Sequence, residues 1–513
     1  MSRLEIASPK RAKIVMEGLY KDLERRIESS PPGLCPVDMA RAFLELCHAQ
    51  TCGKCVPCRI GLGQLNNFIR EVLDGKATMK TLDIMEQTAL SIMESADCAI
   101  GYEAANMVYK GLIGYRDDYI EHIQNGRCTC TYNQPVPCVS LCPAHVDIPG
   151  YIALVGEGRY ADAIRLLRKD NPFPTTCGFI CEHPCEARCR RNMVDDSINI
   201  RGLKRVAADF AGEVDPPQCA PSTGKKIAIL GGGPGGLSAA YYLQLMGHQT
   251  TVYEMLPELG GMLRYGIPNY RLPKERLDDD IRAILKTGVQ VKNGLKIGQD
   301  ITIQELRQQY DVVLITIGAS TDKKLGLENE DADGIISAVQ FLRNVGKNQI
   351  IDLTGKEVVV IGGGNVSMDA VRTAKRLGAK KVSIVYRRRV ADMTALPGEI
   401  EGAVAEGIEL QTLKAPASID VDENHHVKGI YVTPQMVSSI RDGRASIKPT
   451  GEEDIYIPCD VLIVAIGQNI ETHHFEQAGI PVERGKIITK STGAFENLPG
   501  VFAGGDCASG PAS

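Results

Sequence analysis

The sequence has no tryptophan, and only 5% of its residues are aromatic. That leaves no stacking platform for nucleic-acid bases. No apolar run approaches the length of a membrane span, and VLIVAIG (461–467) reads as a buried strand. The opening residues, MSRLEIASPKRAKIV, lack the apolar core of a signal peptide. Excess positive charge is missing too: the net charge is -5, which offers no handle for nucleic acid or lipid. These absences describe a cytoplasmic protein without a membrane span or a nucleic-acid partner. Structural disulfides would be out of place in it, because they belong mainly to small secreted domains. Yet the chain has 17 cysteines among 513 residues. In that setting they argue for metal or redox chemistry. The length suggests about three or four domains.

The thiols are concentrated. Cys128, Cys130, Cys138, Cys142, Cys177, Cys181, Cys185 and Cys189 share one stretch, and the last four recur at every fourth position in CGFICEHPCEARC. Thiolates this close are what iron–sulfur clusters require, because each cluster iron takes one soft sulfur ligand from the protein. Between them, IPGYIALV and YADAIRLL each offer an apolar stripe at helical spacing, enough to shield a cluster from water. Upstream, TCGKCVPCRIG sets Cys52, Cys55 and Cys58 in C-x-x-C-x-x-C spacing, which lets one loop wrap three corners of a cubane. Cys98, in SADCAIGYEAAN, is the best candidate for the fourth corner. Cys35 and Cys47 are spare thiols, and Cys47 on an apolar helix suits a core role. Zinc sites usually show paired C-x-x-C units, so three evenly spaced cysteines fit a cluster better. DPPQCAPSTG (215–224) reads as a linker with Cys219 a bystander.

Downstream, KKIAILGGGPGGLSAAYYLQLMGHQTTVYE reads as strand, glycine turn, helix and second strand ending in an acid. Gly231, Gly233 and Gly236 fit G-x-G-x-x-G, which allows the tight turn, close approach of backbone to pyrophosphate, and tight helix packing. Glu254 ends the second strand, where a carboxylate can hold a ribose hydroxyl pair. KEVVVIGGGNVSMDAVRTAKRLGAKKVSIVYRRR repeats the pattern with Gly362, Gly364 and then Asn365; Ser367 takes the third glycine position and is small enough for it. Its second strand ends in Tyr386-Arg387-Arg388-Arg389. An acid there would repel a 2′-phosphate, whereas guanidiniums pair with it bidentately. The expected nucleotide is NADP(H), with Arg387 and Arg388 as its phosphate ligands.

These motifs carry resemblances. CGKCVPCRIG, with a lone cysteine about forty residues on, resembles the C-terminal cluster domain of the flavin subunit of respiratory complex I and of related NAD-linked hydrogenases. Over residues 35–115 the resemblance implies a [4Fe–4S] relay on Cys52, Cys55, Cys58 and Cys98. CP…DIP…NPFP..CG..C resembles the two-cluster domain of the glutamate synthase small subunit. It is also similar to the N-terminal part of dihydropyrimidine dehydrogenase and to the larger subunit of the NADH-dependent ferredoxin:NADP oxidoreductase. That resemblance implies that Cys138 and Cys189 join an early pair, here Cys128 and Cys130, while Cys142, Cys181 and Cys185 serve a second cluster. The chain departs from the family in its C-x-C early pair and its shorter 181–185 loop. The family's fourth ligand to the second cluster, a Glu or Gln, falls on Lys204, whose ammonium has no lone pair for iron. Cys177 is the expected substitute. LGGMLRYGIPNYRLPK, with Gly260 and Gly261, resembles the family's second phosphate-contacting loop and implies FAD as the first nucleotide. GVFAGGDCAS places Asp506 where the family binds the ribityl chain. TIGAS (316–320) and AIGQ (465–468) mark the two crossings between the nucleotide domains. The family continues past GPAS with a helix aimed at the flavin, so either truncation or a completing segment from elsewhere is expected.

The expected fold is α/β: two Rossmann-like nucleotide-binding domains, one inserted in the other, preceded by two helical iron–sulfur domains. The latter span 1–120 and 121–220; the FAD domain comprises 225–320 and 463–513, and the NADP(H) domain 321–462. Expected cofactors are FAD, NADP(H) and three [4Fe–4S] clusters, with no residue needed as a general acid or base. The expected function is an NADPH-linked iron–sulfur flavoprotein oxidoreductase, within a complex whose partner is NADH-, ferredoxin-, hydrogen- or formate-linked. Electron bifurcation is implied only by resemblance. A glutamate synthase small subunit and an inert scaffold are the alternatives. A thiol–disulfide reductase would need a cysteine pair beside the flavin, and only Cys459 and Cys507, far apart, follow Cys219.

Overall fold

The computed structural model describes residues 15–19, 21, 35–126, 136–441 and 444–511. The chain divides into two compact units, one joining Met1–Glu157 with His183–Leu203, the other joining Gly158–Glu182 with Lys204–Ser513.

The first unit is helical. Pro36–Ala49 opens on a proline in its first turn, where a missing N–H costs nothing. Met79–Ser95 opens on a capping box, with the Thr78 N–H donating to Thr81 Oγ1 at 3.0 Å. Its Leu82, Met85, Ala89 and Ile92 recur three or four apart and are at most 3% exposed. Ala99–Gly114 packs on both helices through small residues; a Cβ on Gly111 would come within 2.9 Å of Tyr119 Oη. Phe43, Leu62, Leu65 and Ile69 fill the centre. Each such side chain contributes roughly 1.5–3 kcal/mol by leaving water.

The second unit holds two parallel five-stranded sheets. In the first, the order is Val501–Ala503, Val312–Ile315, Lys226–Leu230, Gln249–Glu254, Gln290–Asn293. In the second, it is Ile335–Ser337, Val461–Val464, Glu357–Ile361, Lys381–Tyr386, Glu409–Thr412. Central strands such as Ile227-Ala228-Ile229-Leu230 are buried on both faces, as parallel strands covered by helices must be. The second sheet lies in sequence inside the first, and the two crossings run side by side: Thr321–Asp322 pairs antiparallel with Gln468–Asn469. An antiparallel sheet of Lys414–Val421, Val427–Arg441, Arg444–Pro449 and Ile455–Pro458 is inserted before Val461–Val464. Sequence inspection did not separate this insertion from the nucleotide domain around it.

Two polar contacts fasten this unit. Arg271, from the first sheet's half, donates to Asp369 at 2.7 Å and lies 3.2 Å from Glu399, both in the second half. Asp280, fully buried on helix Lys274–Leu285, accepts from the Thr175 and Thr176 N–H groups at 3.3 and 2.7 Å. Those are orphan donors at the start of helix Pro174–Ile180, so the carboxylate caps it. Burial pushes the Asp280 carboxyl up to about 6, against the N–H bonds that pull it down.

A pH signature follows. The folded Asp280 carboxyl binds its proton more tightly than an unfolded one. Its contribution to stability is therefore fully present below about pH 4 and lost as pH rises through about 6. Asp280→Asn removes that slope. Urea unfolding of both proteins should show the variant gaining on the wild type by roughly 2–3 kcal/mol between pH 4 and 7.

Candidate functional site

In the first unit, Cys52, Cys55 and Cys58 enter the turn ahead of helix Leu62–Leu73, and Cys98 is the residue preceding Ala99–Gly114. Packing of the two helices brings the four thiols to one place. Cys58 is buried, and its pKa is pushed up to about 12, first by burial and then by Cys55, Cys98 and Cys52 beside it. Gly101 faces the group: a Cβ there would stand 2.6 Å from Cys58 Sγ. Among the described residues, no three His, Cys, Asp or Glu side chains converge as ligands of a single ion. A cubane asks for a different arrangement, with each thiolate on its own iron. A cleft of about 1070 Å³ opens beside Cys55, lined by Val56, Ile60 and Ile84. Cys47 is fully buried in the core, pushed up to about 12 by burial, and Cys35 lies 3.3 Å from His122 Nε2.

The later thiols fall in both units, each described within its own. In the first, helix Pro137–Leu141 carries Cys138 and ends at Cys142, and it packs on Pro184–Ala187, which carries Cys185. Tyr151 is fully buried; burial raises its pKa, and Cys185, Cys142 and Cys138 raise it further. Cys189 is the charged neighbour that adds to the burial of Cys138. In the second unit, Cys177 lies on Pro174–Ile180 and Cys181 follows that helix, its N–H donating to Cys177 O at 3.2 Å. Cys128 and Cys130 lie outside the described residues. Cys219 Sγ donates to Thr287 O at 3.5 Å, away from the other thiols named here.

The first glycine turn leaves no room for side chains. A Cβ on Gly236 would collide with Gly231 O, and one on Gly231 would stand 2.5 Å from Thr316 O. Gly233 precedes helix Pro234–Leu245, whose first N–H groups are thereby free for an anion. The second loop reaches the same turn: the Gly260 N–H donates to Gly232 O at 2.8 Å, and a Cβ on Gly261 would stand 2.8 Å from Gly233 Cα. Glu254 is buried and accepts from the Gly232 and Leu256 N–H groups at 2.7 and 2.8 Å. Burial pushes its carboxyl up, and the N–H bonds draw it back. Asp506 opens the short helix after Val501–Ala503, on the same sheet. The cradle fits a dinucleotide pyrophosphate with an acid at the ribose end.

The second turn repeats this with one change. A Cβ on Gly362 would collide with Ala465 O, and Ser367 is fully buried with an unpartnered Oγ. Gly364 precedes helix Asn365–Arg376. Asn365 is held twice, donating from Nδ2 to Glu182 Oε1 and accepting the Leu396 N–H at Oδ1, both at 2.9 Å. Its neighbour by that bond, Glu182, adjoins Cys181. The three arginines differ in their commitments. Arg389 donates to Asp392 at 2.8 Å, Arg388 Nε donates to Ala445 O at 3.0 Å, and Arg387 is exposed with no partner among the described residues.

Residues 225–513 match the family model for pyridine nucleotide-disulphide oxidoreductases. The chain belongs to that family. This oxidoreductase also matches, over residues 38–122, the iron–sulfur binding region of NADH-ubiquinone oxidoreductase F, and over 114–215, the 4Fe-4S cluster domain II of dihydropyrimidine dehydrogenase. It is thus an iron–sulfur oxidoreductase with α/β nucleotide-binding domains behind helical cluster regions. The NADPH-Fe(3+) oxidoreductase subunit beta of Geobacter sulfurreducens is 34% identical, over 94% of this chain and 76% of that one. The NADP(+)-dependent formate dehydrogenase subunit beta of Moorella thermoacetica is 32% identical, over 91% and 75%. The glutamate synthase [NADPH] small chain of Escherichia coli is 34% identical, over 73% and 84%. The family's disulphide chemistry has no counterpart in Cys459 and Cys507, which are buried in different cores. No helix among the described residues is long and apolar enough to cross a membrane.

Sequence reading missed Asp280, Glu182 and Arg271, because an acid or a base within a helix or a cysteine loop carries no spacing signal. The crowding at Gly101 gives a direct check. Gly101→Ala should leave helix content unchanged but cost the N-terminal cluster, lowering iron by about four per chain while the flavin is retained.

Proposed function

We propose that this chain is the NADP(H)-linked subunit of a multi-subunit cytoplasmic complex, passing electrons between NADP(H), FAD and three [4Fe–4S] clusters to a partner redox subunit or ferredoxin. In this reading 1–120 and 121–220 hold the clusters, 225–320 with 463–513 hold FAD, and 321–462 hold NADP(H). One cluster takes Cys52, Cys55, Cys58 and Cys98; a second takes Cys138 and Cys189 with Cys128 and Cys130; a third takes Cys142, Cys177, Cys181 and Cys185. The observation that carries the reading is the Asn365–Glu182 hydrogen bond, which ties the second glycine turn to the residue next to Cys181. A nucleotide site fastened to a cysteine loop suits electron exchange between them.

FAD, when bound, supplies the conversion between hydride and single electrons. The chain's own residues bind and orient. Gly231, Gly233, Gly236, Gly260 and Gly261 admit the FAD pyrophosphate, Glu254 the ribose, and Asp506 the ribityl chain. Gly362, Gly364 and Asn365 form the NADP(H) turn, and Arg387, aided by Arg388, meets the 2′-phosphate. The printed names of the Geobacter and Moorella relatives, both beta subunits of NADP-linked enzymes, support the complex and the nucleotide. The finer reading, flavin-based bifurcation, rests on resemblance to the ferredoxin:NADP oxidoreductase.

Iron, sulfide and flavin per chain after anaerobic purification test the whole proposal. About twelve irons and one FAD are expected. Near-zero iron with stoichiometric FAD would leave a simple flavin reductase. Arg387→Ala should raise KM for NADPH roughly 10- to 100-fold in steady-state assays, the loss of one charge-assisted contact, while KM for NADH stays within about twofold.

A further inference from the structure

We infer that Lys204 is a fixed counter-charge to the cluster that Cys177 and Cys181 hold, and that it raises that cluster's reduction potential. The inference rests on the proposal that Cys177 is a cluster ligand. Lys204 lies on helix Ile200–Phe210 and is 7% exposed. An ammonium has three hydrogens to donate. Among the described residues, no hydrogen bond and no carboxylate partner holds this one. A buried, unpaired ammonium costs several kcal/mol, so an anion is missing from the picture.

The geometry says where that anion belongs. Helix Pro174–Ile180 lies directly against the turn that carries Lys204: a Cβ on Gly178 would stand 3.0 Å from Arg205 Cα, and the Arg205 guanidinium lies 4.1 Å over the Phe179 ring. Cys177, one residue before Gly178, feels the ammonium as its strongest charged neighbour. Burial raises the Cys177 pKa, Lys204 and Asn171 pull it down, and Cys181 and Asp280 push it up. Lys204 cannot ligate iron, having no lone pair while charged. It can face iron-bound thiolates. A cubane with four thiolates is anionic in both oxidation states and gains one more negative charge when it takes up an electron. A fixed positive charge in a poorly screened site therefore favours the reduced form.

The test uses the anaerobically purified full chain, with iron counted and each cluster titrated by EPR at set potentials. Lys204→Leu, which offers iron no ligand, should keep its iron and lower the reduction equilibrium constant of one cluster at least about tenfold, a shift of about 59 mV to the negative. Lys204→Arg should stay within about threefold of wild type. Loss of a cluster in the Leu variant but not in the Arg variant would equally show that the charge is required. An unmoved potential in the Leu variant, or loss of the cluster in both, overturns the inference. Cys177→Ser, run in parallel, separates the two layers. Unchanged spectra in that variant would remove Cys177 as a ligand, whereas changed spectra beside an indifferent Lys204→Leu would remove only the counter-charge.

Discussion

The Asp280 carboxylate is the contact on which the arrangement of the second unit depends. It sits on a helix of the first nucleotide domain and closes the open end of the helix that carries Cys177. Seven residues of helix have little stability of their own. With its first N–H groups capped from outside, this one acquires a defined seat, and Phe173 and Cys177 join the hydrophobic cluster around Leu237 and Leu277. The thiol segment is thereby fixed to the flavin half through packing and through one buried carboxylate at once. The same burial that makes the cap rigid makes it expensive to keep charged, which is why its proton affinity is raised.

A second buried network couples the halves of the nucleotide region. Arg271 contacts Asp369 and Glu399, Glu399 also holds Arg372 at 2.7 Å, and Tyr270 lies between the guanidiniums of Arg372 and Arg376. Removing one partner from such a network leaves an uncompensated charge, worth about 3–5 kcal/mol. The loop 259–274 therefore serves both domains. Its glycines meet the first turn, and its Tyr270 and Arg271 clasp the helix of the second.

Much of this was legible in the order of residues. Glycine turns, cysteine spacing and acid-versus-arginine strand ends are local signals, and the structure places Gly231, Gly236, Glu254, Gly362 and the cluster of thiols at Cys58 accordingly. What was not legible depends on three dimensions. Arg387, Arg388 and Arg389 are interchangeable as letters; only the positions of Asp392 and Ala445 distinguish the free one from those already engaged. The antiparallel insertion escaped notice because its strands alternate weakly and leave Tyr431, Val437 and Tyr456 exposed. Asp280 looks like any acid on an amphipathic helix until its partner helix is in place.

The paired crossings have a mechanical consequence. Thr321–Asp322 and Gln468–Asn469 are joined in register, and Asn469 Nδ2 adds a third tie to Asp322 O at 3.0 Å. Two separate linkers would let one domain slide, twist and withdraw from the other. Two linkers bonded together act as the pin of a door, leaving rotation about one axis as the soft motion. The Arg271–Asp369 contact lies off that axis and serves as its latch. Nucleotide exchange that needs the door to swing must first open the latch, so the speed of this enzyme can be governed by a salt bridge that touches neither cofactor.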